Sequence, residues 1–167
     1  MADLGNVLGE SGVPYSINLG GKTWLFQHFT KRVQAAFGDY VKGLARQELM
    51  DNRQYMDSAT YAVCWAEFAK KSAAGEFSIG KDAYRERMGT REGSAYLTYL
   101  LLRKNHSDVT FDDAQELNDK YEVEIVGLLR EMRVIEKKAK VTERKKRNEE
   151  RKTQGLPPLP EIPEDED

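Results

Sequence analysis

Cysteine is nearly absent from this chain: Cys64 stands alone among 167 residues. No internal disulfide can form, and a reducing compartment is the natural setting. Flanked by Val63 and Trp65, the thiol reads as a small buried hydrophobe. Histidine is almost as scarce. With only His28 and His106, a zinc site would need carboxylates to complete it. Neither sign of charge is in excess, since 26 Lys and Arg against 28 Asp and Glu leave a net charge of −2. That excludes an overall field drawing the chain onto nucleic acid or anionic lipid. The opening Met1–Asn6 has neither a basic region nor an apolar core, so no secretory signal is expected. The longest apolar run, near Tyr99–Leu102, is far too short to span a bilayer. There is no internal repeat, and a cytoplasmic setting is expected.

What is present is a change of hydrophobic period. Tyr15, Ile17 and Leu19 alternate with Ser16 and Asn18, and Thr23–Phe26 is rich in strand formers. With Gly20-Gly21 between them, the two runs predict a β-hairpin. Pro14 suits the start of an edge strand, where no ladder donor is lost. From Thr30, a plausible N-cap, apolar residues at Val33, Phe37, Tyr40, Val41, Leu44 and Leu49 fall at helical steps. A second helix is expected over about Ser58–Ala74, ended by Gly75, with Tyr61, Cys64, Trp65 and Phe68 as its buried stripe. Glu76–Arg91 reads as a connector holding about one helical turn.

Ser94–Leu117 is the most informative stretch. Ser94–Lys104 is apolar on most sides, which marks a central helix. Asn105-His106-Ser107-Asp108 breaks it. Thr110 and Asp113 then have capping-box spacing, and acidic Asp112, Asp113 and Glu116 suit the positive end of a helix dipole. The following helix is expected to pause near Asn118 and to resume through Tyr121, Ile125, Leu128, Met132 and Ile135. Thr142–Lys152 is almost wholly charged and predicts a solvated helix ended by Gly155. Leu156–Pro160 favours polyproline conformation, and an acidic tail closes the chain.

The expected fold is therefore mainly α: a short N-terminal β-hairpin, a helical bundle, a long charged C-terminal helix and a disordered acidic tail. The expected segments are a flexible 1–13, a hairpin and helical core over 14–135, a charged helix over 136–153 and a Pro-rich acidic tail over 154–167. Phe37, Trp65, Leu97, Leu100 and Leu101 are the expected core.

Chemistry-bearing residues are few. Gly21-Lys22-Thr23 resembles the end of a phosphate-binding loop, but Ser16 stands where that loop needs a glycine, and strand rather than helix follows. A hairpin turn explains the same residues. His106 with Asp108, Asp112 and Asp113 could form a metal or acid–base cluster, although cap chemistry accounts for the carboxylates. His28 lies between apolar neighbours and reads as packed. Lys137–Lys152 could meet phosphates, but acidic residues interleave it and no aromatic is available for stacking. No cofactor and no metal are expected. The candidate partner contacts are Arg103, Lys104 and His106 in the central turn, and Lys145, Lys146 and Arg147 in the charged helix.

Two pieces carry a family resemblance: Ile17–Trp24, a strand–Gly–strand unit, and Tyr99–Thr110, a helix ending in Leu-Leu-Arg before a polar turn and a capped Thr. In their order the chain resembles the tail assembly chaperones of long-tailed bacteriophages over about residues 15–130. Ser107 departs from the family, where proline is frequent, and so does the charged extension after Met132. The resemblance implies a non-enzymatic binding role in the host cytoplasm. The implied partners are the tape-measure protein, held soluble, and tail-tube subunits recruited around it, with self-association left open. The rivals are a connector subunit retained in the virion, a small nucleic-acid-binding regulator using the 137–152 helix and, last, an enzyme.

Overall fold

A computed structural model describes the backbone of residues 14–158, and the side chains of those residues except 133–140 and 143. The expected flexible N-terminus and the last nine residues of the acidic tail lie outside the described residues. The architecture is mainly helical with an N-terminal antiparallel hairpin, as the hydrophobic periods predict. Strand β1 (Tyr15–Leu19) pairs with β2 (Lys22–Phe26) in the register Tyr15↔Phe26 to Leu19↔Lys22. Gly20 and Gly21 turn the chain with φ of 59° and 77°. Both central positions of such a two-residue turn require the left-handed region. The face carrying Ile17, Leu19 and Phe26 is buried.

Helix α1 (Lys31–Asp51) starts where Thr30 Oγ1 accepts from the Val33 amide at 3.3 Å. Val33, Phe37 and Val41, at four-residue steps, are its buried face. The second half of α1 leaves the core and, through a 3-10 turn (Asn52–Tyr55), returns as α2 (Ser58–Ala73). Asp57 caps α2, its carboxylate accepting from the Thr60 amide at 2.8 Å. Gly75, at φ 73°, ends it. The amides of Gly75 and Glu76 return to the carbonyls of Ser72 and Lys71, the pairing of a Schellman cap.

Two expectations fail in this region. The stripe Tyr61–Cys64–Trp65–Phe68 is not buried: α2 has no buried residue, Trp65 is 37% exposed, and Cys64 is only partly covered. The reason is geometric, because α2 lies against the outer half of α1 rather than against the bundle. The connector after Gly75 also holds more than one turn. Helix α3 (Asp82–Met88) runs for seven residues and buries Tyr84, whose ring meets Phe37 edge-on at 4.8 Å.

Helix α4 (Arg91–Leu102) is central, as its apolar circumference predicts. Leu97, Leu100, Leu101 and Leu102 are all but sealed from solvent, and Phe37 beside them is fully buried. Gly93 lets α4 pass under α3, since a Cβ there would sit 1.9 Å from the Arg87 carbonyl oxygen. Helix α5 (Phe111–Lys120) opens with the predicted capping box. Thr110 Oγ1 accepts from the Asp113 amide, and the Asp113 carboxylate accepts from the Thr110 amide at 2.8 Å. Asn118 near its end is buried, yet satisfied: Thr98 and Ser94 donate to its Oδ1 at 3.2 and 3.3 Å. On the surface, the Arg91 guanidinium grips the Asp119 carboxylate with two nitrogens.

The predicted pause falls at Tyr121, three residues beyond Asn118, with φ −131° and ψ 36°. Its hydroxyl occupies the space a Cβ on Gly20 would need, so the turn and the helix break pack together. Helix α6 (Glu122–Thr153) buries Ile125, Leu128 and Met132 and then continues unbroken. Gly155, at φ 69°, terminates it.

Candidate partner-binding surfaces

The central turn is built to hold the hairpin. As the outer strand of a two-stranded sheet, β2 would leave backbone groups unpaired. The turn after α4 supplies the missing partners. His106 Nε2 accepts from the Leu25 amide at 2.9 Å, and Asn105 Nδ2 donates to the Leu25 carbonyl at 3.1 Å. One residue on, the Gln27 amide donates to the Leu101 carbonyl at 2.9 Å, and its side chain donates to the Leu100 carbonyl at 2.6 Å. An accepting Nε2 carries no proton, so the His106 ring is neutral with its hydrogen on Nδ1. Trp24 packs against that ring at 5.2 Å, and the Lys22 ammonium lies 4.0 Å from the Trp24 centroid.

This geometry separates the turn's three candidate contacts. Arg103 and Lys104 are exposed. His106 is committed to the hairpin by its hydrogen bond, which no sequence motif signals because its partner is 81 residues away. The carboxylates beside it divide in the same way. Asp113 belongs to the capping box, and bonds from the Thr110 hydroxyl and amide hold its carboxyl below the ordinary range. Gly21-Lys22-Thr23 is the hairpin turn and the start of β2. His28 packs edge-on against Tyr15 at 4.9 Å.

Lys145, Lys146 and Arg147 are exposed on α6. At 1.5 Å per residue, Lys145 lies about 35 Å along the axis from Glu122. The structure therefore does not gather the six candidates into one site. Between α1 and the end of α2 an open cleft of ≈ 380 Å³ is lined by Lys31, Gln34, Lys42, Ser72 and Phe77. It holds amines, amides and hydroxyls but no reactive pairing.

The surface that sequence reasoning missed is α2. Rings run along it from Tyr61 to Trp65 (6.1 Å), Phe68 (5.7 Å) and Phe77 (5.7 Å). Arg46 and Arg53 cover Trp65 and Tyr61 at 5.9 and 5.1 Å. Val63 is 59% exposed on the same helix. An apolar helix left uncovered is the usual mark of a protein-binding element. Among the described residues, no helix is long and apolar enough to cross a membrane. No protein-family model, curated protein or solved structure matches the chain.

Proposed function

We propose that this chain is a non-enzymatic assembly chaperone of a long-tailed bacteriophage, binding the tape-measure protein and recruiting tail-tube subunits to it. Two features support the reading. The first is the resemblance carried by Ile17–Trp24 and Tyr99–Thr110, pieces that pack on one another through His106 and Asn105. The second, which carries the proposal, is the uncovered apolar helix α2. A chaperone for a long helical client needs such a surface, because helix-in-groove recognition rests on apolar contacts offered to solvent.

Co-expression with the tape-measure protein of the same phage is the direct test. The full chain should keep that protein soluble and co-purify with it. Val63→Lys with Trp65→Ser should abolish co-purification while leaving helical circular dichroism intact. If the wild-type chain neither solubilises nor retains the tape-measure protein, the reading fails. Salt-sensitive retention on DNA through Lys145, Lys146 and Arg147, with no protein partner, would move the assignment to a nucleic-acid-binding role.

A further inference from the structure

The outward side of α2 has a pattern that neither the fold nor the aromatic row uses. Ala59, Ala62, Ala66, Ala69 and Ala73 recur at alternating steps of three and four residues, and all are exposed. At 100° per residue they fall on one stripe, opposite the Tyr61–Cys64–Phe68 side that rests on α1. Val63, 59% exposed, widens the stripe on one flank, and Trp65, 37% exposed, borders it on the other. Unlike α1, α3, α4 and α5, this helix has no buried residue.

Charge placement selects what can cover it. Asp57 stands at the start of α2, and Lys70 and Lys71 stand in its last turn. A helix running the same way would meet like charge at each end and would align the two macrodipoles. A copy of α2 running the opposite way brings Asp57 toward Lys71 at both ends and opposes the dipoles. Glu67 and Lys70 share the flank that carries Val63. A twofold axis perpendicular to the helix pair keeps that flank on one side, so each Lys70 faces the second copy's Glu67. The alanines let the axes approach to about 8 Å, the lower end of helix packing distances. The stripe is centred on Ala66, midway between Ala59 and Ala73.

From this self-complementarity we infer that α2 is a homodimer interface, pairing antiparallel with α2 of a second copy about Ala66. A helix of 16 residues is about 24 Å long. A single helix pair is therefore a small contact, and the dimer forms and dissociates with concentration.

The inference is tested on the purified full chain alone, so its outcome is independent of the tape-measure reading. Light scattering coupled to size exclusion should show mass rising from monomer to dimer across the micromolar range. Ala66→Glu places two like charges at the axis and should hold the chain monomeric with unchanged circular dichroism. Ala66→Cys in a Cys64→Ser background should give a covalent dimer on oxidation, reversed by thiol reductant. Glu67→Lys and Lys70→Glu should each weaken the dimer, and the two together should restore it. A wild-type chain that stays monomeric at every concentration overturns the inference, as does a dimer that survives folded Ala66→Glu. If Ala66→Glu fails to fold, the exposed charge swap decides, and a double variant no more dimeric than the single ones overturns it.

Discussion

Replacing Gly93 by alanine should destabilise the protein, although alanine is the better helix former. Intrinsic propensity alone favours the substitution by about 1 kcal/mol in a helix interior. The structure reverses the sign. The new Cβ would lie 1.9 Å from the Arg87 carbonyl oxygen and 2.7 Å from its carbon, both backbone atoms. Ordinary contact is 3.4 Å or more, so the end of α3 would have to retreat by more than an ångström. Such a shift disturbs Tyr84, which is 1% exposed and packed on Phe37. Overpacking of this kind costs about 1–3 kcal/mol, and the collision with backbone puts Gly93→Ala at the upper end. Gly127 is the internal control. It is also helical, and a Cβ there meets nothing within 4 Å. Gly127→Ala should therefore raise stability by up to about 1 kcal/mol. Urea denaturation followed by circular dichroism reads both. The reasoning is refuted if Gly93→Ala unfolds at or above the wild-type midpoint, or if the two variants shift in the same direction.

Burial ranks a second pair. Leu101→Ala should cost about 2–5 kcal/mol, because the side chain is fully buried, whereas Trp65→Ala, on a residue 37% exposed, should cost clearly less despite removing the larger side chain. Equal shifts in urea midpoint would contradict the placement of α2. Acid should weaken the fold through Asp113 and Asp119, whose carboxyls are held low by the Thr110 bonds and by the Arg91 guanidinium. Folded values below the unfolded one mean that this stability is present above about pH 4 and is lost as pH falls below it. Asp113→Ala with Asp119→Ala should flatten the dependence of Tm on pH in that window. Truncation after Val141 should leave Tm nearly unchanged, because no described side chain of 141–158 is buried and exposed ion pairs are worth only about 0–1 kcal/mol each. A drop of many degrees would mean that the extension packs on the core.

How much was legible depended on the range of the interaction. Local rules worked: Gly20-Gly21 as a turn, Thr30 and Thr110 as caps, Gly75 and Gly155 as helix ends. Each rests on bonds spanning a few residues. The leucines of α4 also gave the core, since a helix carrying Leu97, Leu100, Leu101 and Leu102 has nowhere else to go. Long-range chemistry was invisible. Nothing near His106 in the chain announces that its imidazole completes β2, and nothing near Asn118 announces Thr98 and Ser94, 20 and 24 residues away. Tyr84 was lost because seven residues of helix show too little periodicity to separate from a loop.

The misplacement of α2 has a more general cause, and it makes one further prediction. Periodicity states that a helix has an apolar face; it does not state what covers that face. Helices α4 and α2 are both apolar on most sides, but α4 is built of leucine and α2 of alanine. Exposed leucine loses the burial that would order the helix. Exposed alanine loses little and has the highest helix propensity. With Asp57 capping its start and Gly75 closing its end, α2 can form with little support from the core, so local signals alone yield a helix at the surface. Such an element should open more readily than the bundle. Amide hydrogen exchange on dilute protein should find α2 far less protected than α4, with protection of α2 rising as concentration rises and the α2 faces meet. Protection of α2 equal to that of α4 in dilute solution would show that the helix is held by the core, against the exposure of Val63 and Trp65.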